Sequence, residues 1–415
     1  MAFVLPVLLL PEPSEGKQAA ALPLLGKPSY LHALAALEAV AGTCVALPEG
    51  GAPEEAKVLF PCDRRFVASL QEASEGLDKG LMLVVRGDMP CLKADTLRFL
   101  LSAVEDGAKA SFLQWQGEDL EQEPGLRIGG TAYCFDLAAL KAVLGSLEGE
   151  KTGCAPLDAL TAMNERGMVL RGVAAGGEEL ISVRTRLDFA NAFAVLQEQV
   201  NTYHMANGVT LLDPGAAYID TDVVIGPDTV VYPGCHLQRG SQIGAGCMLL
   251  PNCRLSGAVL AEGVTVESSV LIDCRVGAGT TVGPYAYLRP DSVVGEKCRV
   301  GDFVEIKNSH VGNGTKISHL TYVGDGDLGG NINLGCGVVF TNYDGKHKHR
   351  TNVGDNAFIG CNVNLVAPVN VGKDAYVAAG STVTEDVPEG ALYIARPHGA
   401  VKEGWVKKRR EEGKL

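Results

Sequence analysis

Residues 219–255 read IDTDVVIGPDTVVYPGCHLQRGSQIGAGCMLLPNCRL, with an aliphatic side chain at every sixth position: Ile219, Ile225, Val231, Leu237, Ile243, Leu249 and Leu255. After a slip the period resumes as Val276, Val282, Leu288, Val294, Val300 and Ile306. It returns as Val353, Ile359, Leu365, Val371, Val377 and Val383. A spacing of six fits neither an amphipathic helix nor an alternating strand. It fits a parallel β-helix of hexapeptide repeats, whose short strands build flat faces and whose turns stack one on the next. In that fold the aliphatic side chain fills the prism. A small residue four positions later (Thr229, Cys235, Cys247, Cys253, Cys298) tucks beside it, where a larger one would clash. Glycine directly after the aliphatic residue, as at Gly226, Gly244 and Gly277, is expected to permit the tight corner.

Upstream, Phe189, Phe193, Leu196, Val200 and Tyr203 fall at helical spacing, and Asn207-Gly208 ends the run. This predicts a linker helix over residues 186–208. Residues 1–185 alternate strand-like runs (Val4–Leu10, Leu81–Val85) with helical ones such as Tyr30–Val40. That alternation predicts an α/β, Rossmann-like domain with a largely parallel sheet. The β-helix is expected over 209–400. The basic tail, 401–415, is expected to pack Trp405 on the last coil and leave its charges in water.

The opening MAFVLPVLLL lacks a basic leader region and a small-residue cleavage site, so it reads as a first buried strand. No run is apolar enough to span a membrane. A net charge of −13 argues against nucleic-acid binding. The 12 cysteines form no CxxC pair, and several occupy the small inward position. Reduced, buried cysteine in a cytoplasmic protein accounts for them.

Two places depart from plain scaffolding: Ser318-His319-Leu320-Thr321-Tyr322, and an insertion over Phe340–Thr351, FTNYDGKHKHRT. A neutral histidine accepts a proton near pH 7 and suits activation of an amine or hydroxyl nucleophile. Tyr322, Asn333, Asn342 and Tyr343 can orient polar ligand groups, and Arg289, Lys307 and Lys348 supply positive charge for a phosphate. Periodicity alone leaves His319 open between a base and an idle surface residue. His347 and His349 read as part of a basic loop rather than a metal site, since no third ligand accompanies them. His32, His204, His236, His310 and His398 stand in no constellation and are read as structural.

From about residue 187 to 406 the motifs YAYLRP, GDFVEIKNS, ISHLTYVGD, NINLG, TNYDG, NLVAPV and KEGW follow one another in an order that resembles the acetyltransferase half of the bacterial bifunctional GlmU family. Those proteins are N-acetylglucosamine-1-phosphate uridyltransferase/glucosamine-1-phosphate acetyltransferases. The resemblance implies a left-handed β-helix and acetyl transfer from acetyl-CoA to the 2-amine of glucosamine-1-phosphate, on the way to UDP-N-acetylglucosamine and cell-wall precursors. It implies that His319 is the base and that Arg289, Lys307, Tyr322, Asn333 and Lys348 hold the amino-sugar phosphate. Cys336, Asn342, Tyr343, Cys361, Ala379 and Arg396 match acetyl-CoA positions. Cys336 and Cys361 stand where relatives carry Ala and Ser. A homotrimer is implied, with the site between neighbouring subunits.

The first domain resembles the family's nucleotidyltransferase half less closely. Where relatives have a glycine-rich, basic phosphate loop, this chain has Leu10-Pro11-Glu12-Pro13-Ser14-Glu15-Gly16-Lys17. Prolines there lack amide donors and glutamates repel phosphate. A family lysine is replaced at Pro23-Leu24. Of the two implied Mg²⁺ ligands, Asp88 is present and the second position is Arg184. The leading expectation is therefore an acetyltransferase with a degenerate uridyltransferase domain. Two alternatives stay open: a full bifunctional enzyme using UTP and Mg²⁺, and a non-catalytic scaffold or regulator that binds sugar nucleotide.

Overall fold

The computed structural model describes residues 3–10, 23–48, 64–115, 132–147, 156–397 and 399–415. The chain divides into two compact units: Met1–Tyr203 with Ile219–Thr221, and His204–Tyr218 with Asp222–Leu415.

In the first unit Val4–Leu10 lies inside a seven-stranded sheet, parallel to Val45–Pro48 on one side and to Leu81–Arg86 on the other. The opening apolar run is therefore a strand. Ala132–Asp136 runs antiparallel to both its neighbours, Leu81–Arg86 and Ala110–Trp115, so the sheet is largely but not wholly parallel. Period-two alternation sends Leu8 and Leu10 to one face, where they meet Leu34 and Leu37 of helix Ser29–Ala41 and Leu97 and Leu100 of helix Ala94–Glu105. Val7 and Leu9 face the other way, toward Leu140 and Val143 of helix Leu137–Leu147 and Leu160 of helix Pro156–Glu165. Near-continuous hydrophobic strands follow from this double burial.

The expected linker helix spans Arg186–Ala206. Leu196 is buried, and Phe189, Phe193 and Val200 are partly so; Tyr203 departs from that stripe and is 65% exposed. Gly208, with φ +88°, follows the helix where the chain must turn left-handed.

The second unit is a left-handed parallel β-helix of three sheets holding 11, 10 and 9 strands. All nineteen aliphatic positions of the sixfold register are buried. The intervening slips are coils one or two residues short: Leu260, Val266 and Leu271 continue the inner column, as do Val311, Ile317, Val323 and Leu328. The small residues are buried as expected, and some also brace successive coils. Thr229 Oγ1 donates to the Gly244 carbonyl at 2.8 Å and accepts from the Cys247 amide at 3.1 Å.

Two sequence expectations need correction. The glycines after the aliphatic residues do not supply the corner's left-handed backbone, which falls two positions later at Asp228, Gly246 and Gly279. They supply space: a Cβ on Gly226 would sit 2.6 Å from the Ala245 nitrogen, and one on Gly277 2.5 Å from the Gly295 carbonyl carbon. Nor does Ser318–Tyr322 break the repeat, because Lys316–His319 and Tyr322–Gly324 are ordinary strands around one corner. The Phe340–Thr351 insertion is genuine. Asn333 pairs with Phe358, 25 residues on, whereas Phe358 pairs with Tyr376, 18 residues on. In the tail, Trp405–Glu411 is a short helix. Trp405 is 45% exposed, with the Arg409 guanidinium over its ring at 5.2 Å.

Candidate active site

His319 closes strand Lys316–His319, and the ladder with Arg299–Asp302 sets it opposite Asp302. Its Nδ1 is hydrogen-bonded to Asp302 Oδ1. That bond holds the Asp302 carboxyl below the usual carboxylate range. With Nδ1 committed to an anion, Nε2 is left to accept a proton, the division of labour a general base requires. The imidazole is half exposed, open to a substrate.

The same register continues upward. Ile317 pairs with Leu334, Leu334 with Ile359 and Ile359 with Val377, so Cys336, Cys361 and Ala379 succeed His319 at one corner, coil after coil. Main-chain bonds run through that corner, from Asn362 N to the Cys336 carbonyl and from Gly380 N to the Cys361 carbonyl, both 2.8 Å. Glycine is obligatory just before it, since a Cβ on Gly360 would lie 2.5 Å from the Ala379 nitrogen. Arg396 Nη1 donates to the Ala379 carbonyl at 2.9 Å.

On the adjoining face a second group converges. Lys307 Nζ lies 3.6 Å from Asp325 Oδ2, and Asp325 is only 4% exposed. Asn308 Nδ2 donates to Asp325 Oδ1 at 2.6 Å, and Asn342 Nδ2 donates to Oδ2. Burial pushes Asp325 upward, but the bonds from Asn308 and Asn342 and the charges of Lys307 and Lys348 outweigh it, and its carboxyl stays below the usual range. Lys348 is lowered, chiefly by its close neighbour Lys307. Two ammonium groups held near one another form an arrangement that an anion relieves. Tyr322 Oη and Asn342 Nδ2 both lie over Gly324, where a Cβ would meet them at 2.4 and 2.7 Å. Arg289 Nη1 donates to Glu305 Oε1 at 2.8 Å, which raises the Arg289 pKa.

The insertion loop that carries Lys348 is internally braced. Asp344 accepts from the amides of His347 (2.6 Å) and Lys346 (2.7 Å), and its Oδ2 lies 2.8 Å from His349 Nε2. Led by the His347 amide, these bonds bring Asp344 down to about 2. Tyr343 Oη donates to the Gly345 carbonyl at 2.7 Å. Arg350 grips Asp327 with two nitrogens, at 2.7 and 2.8 Å, and His310 Nδ1 lies 3.1 Å from the same carboxylate.

Of the sequence-derived residues, Lys307, Tyr322, Asn342 and Lys348 are thus brought together, with Arg289 beside Tyr287 on the same face. His319, Cys336, Cys361, Ala379 and Arg396 follow one edge. Asn333 lies on the first face between Lys316 and Phe358, with no side-chain bond to either group among the described residues. Asp302, Glu305, Asp325, Asp327, Asp344 and Arg350 were missed. Asp302 lies 17 residues before His319, one coil's length, and that offset could have found it. His310, read as structural and without a constellation, does have partners, since it shares Asp327 with Arg350.

In the first unit Asp88 is 1% exposed and fully engaged. Arg86 Nε and Nη2 reach its two oxygens at 3.1 and 2.9 Å, and Ser182 Oγ donates to Oδ2 at 2.5 Å. Arg184 is exposed. A buried carboxylate whose two oxygens are taken by a guanidinium and a hydroxyl does not fit a Mg²⁺ site, which needs free oxygen ligands. The expected nucleotide loop at 11–17 lies outside the described residues, as does His398.

Known proteins match this chain over both units. The family model "MobA-like NTP transferase domain" matches residues 16–163, and "Bacterial transferase hexapeptide (six repeats)" matches 273–308 and 350–385. The "Bifunctional protein GlmU" of Clostridium acetobutylicum is 42% identical over 358 residues, covering 80% of this chain and 78% of that protein. Its namesake from Clostridium botulinum strain Langeland is 46% identical over 388 residues, covering 84% of this chain and 85% of the relative.

Proposed function

The chain belongs to the family of bifunctional GlmU proteins, and on that premise we propose that its β-helix transfers the acetyl group of acetyl-CoA to the 2-amine of glucosamine-1-phosphate. Membership ties the chain to UDP-N-acetylglucosamine biosynthesis. Asp302 fixes the His319 ring, and Nε2 takes a proton from the sugar amine as nitrogen attacks the thioester carbonyl. Lys307, Lys348 and Arg289 hold the phosphate while Tyr322 and Asn333 orient the sugar. Acetyl-CoA follows the edge of Cys336, Cys361, Ala379 and Arg396, with Asn342 and Tyr343 near the thioester. The observation that carries this reading is the anchored imidazole on the same β-helix as the convergent Lys307 and Lys348.

A homotrimer that completes the site has its own support. At the His319 corner Tyr285, Phe303 and Leu320 stand on successive coils with φ of +59°, +53° and +46°, each more than half exposed. Bulky side chains in left-handed backbone, open to water, suit a surface covered by another copy.

The test is acetyl transfer by purified protein. His319→Ala should lower kcat by about 10²- to 10⁴-fold with both ligands still bound in calorimetry. Undiminished turnover in that variant would remove His319 from the mechanism, and no turnover in the parent would favour the non-catalytic reading. A second reading, the full bifunctional enzyme, is favoured by relatives that match across both units. The Asp88 clamp stands against it. Robust UDP-sugar formation from UTP, Mg²⁺ and N-acetylglucosamine-1-phosphate would decide for it.

A further inference from the structure

Ten cysteines lie in the described residues, and eight of them are buried. Burial raises Cys91 and Cys274 to about 12 and pushes Cys134, Cys247 and Cys298 up as well, which leaves those thiols inert. Cys336, half-buried, and Cys361, exposed, are the exceptions. They are also neighbours, since the Leu334–Ile359 register and the bond from Asn362 N to the Cys336 carbonyl stack their two corners directly. Adjacent coils are about 4.8 Å apart. A disulfide spans Cα atoms about 4.4–6.8 Å apart. Both thiols follow His319 along the same edge.

We propose that Cys336 and Cys361 are a solvent-open dithiol that closes to an internal disulfide by exchange with a small-molecule disulfide. The more exposed Cys361 thiolate attacks one sulfur of the reagent and expels a thiolate. The Cys336 thiolate then attacks the Cys361 sulfur of the mixed disulfide and expels the second. The cysteines lose two electrons and two protons, and the reagent becomes two thiols. Acetyl-CoA protects the pair, a consequence that rests on the proposed placement of acetyl-CoA along this edge.

The full chain is incubated with oxidised glutathione, with and without acetyl-CoA, digested without reduction and mapped by mass spectrometry, with circular dichroism to verify that it stays folded. A 336–361 linked peptide and the loss of two titratable thiols are expected. In Cys361→Ser the product should instead be a glutathione adduct on Cys336. Separate adducts on both cysteines of the parent, or no reaction in the folded protein, would overturn the dithiol. Disulfide formation that acetyl-CoA does not slow would uphold the dithiol and count against the placement of acetyl-CoA.

Discussion

Replacing Asp325 by Asn removes a buried charge and little else. Asp325 has φ +51°, a backbone region that Asn tolerates well, so the corner itself is not strained by the change. What is lost is the partner of Lys307 at 3.6 Å and the acceptor for Asn342. Lys307 and Lys348 are then left facing each other. Breaking a buried pair costs about 3–5 kcal/mol. The Lys307 side chain is 18% exposed, which moves the expectation to about 2–3 kcal/mol. The two-unit chain need not unfold in a single transition, so the readout should be local. Hydrogen exchange of peptides covering residues 305–342 should quicken by about 30- to 150-fold, at about 1.4 kcal/mol per factor of ten. A change under about threefold would refute the idea that this carboxylate holds the cationic cluster together. The sign with pH follows. A depressed carboxyl stabilises fully above its ordinary value near about 4 and loses that contribution as pH falls through its lowered folded value.

Asp302→Asn should lower kcat for acetyl transfer by about 10²-fold with little change in KM, because it disturbs the ring's orientation and not ligand contacts; a rise in KM alone would refute a positioning role. Asp344 is held down to about 2, chiefly by the His347 amide, so the loop's brace is intact above about pH 4 and fails as pH drops through about 2. Amide resonances of Lys346 and His347 in selectively labelled protein should stay fixed above that window and move within it. Arg86→Ser should free Asp88 and produce Mn²⁺ binding detectable by electron paramagnetic resonance; the absence of any gain would show that the clamp is not what bars a cation.

The prism was legible because its signal is repeated. Each buried position at 219, 225, 231 and onward restates the same steric demand, and the short coils shift the phase while the inner column stays filled. The chemistry was legible only in part. His319 and Lys307 could be singled out by residue type, whereas Asp302 and Asp325 look like ordinary corner residues until the coil offset places them under a histidine and against an ammonium. The role of the corner glycines was misread for a related reason. Composition suggests backbone freedom, but the constraint is the next coil's main chain, which a one-dimensional reading does not contain. In the first unit Asp88 was recognisable just past its strand end, while Arg86, the last residue of that strand, was not seen as its partner.

The insertion leaves the prism between Val339–Thr341 and Thr351–Val353, and both of those strands pair in normal register with the coil above. The ladder of strands therefore continues across the detour, and the detour is tied back to it at its ends by Asn342 on Asp325 and Arg350 on Asp327. Between those two ties, over residues 343–349, length and charge can change with the ligand while the stacked triangle beneath keeps its own sequence rules.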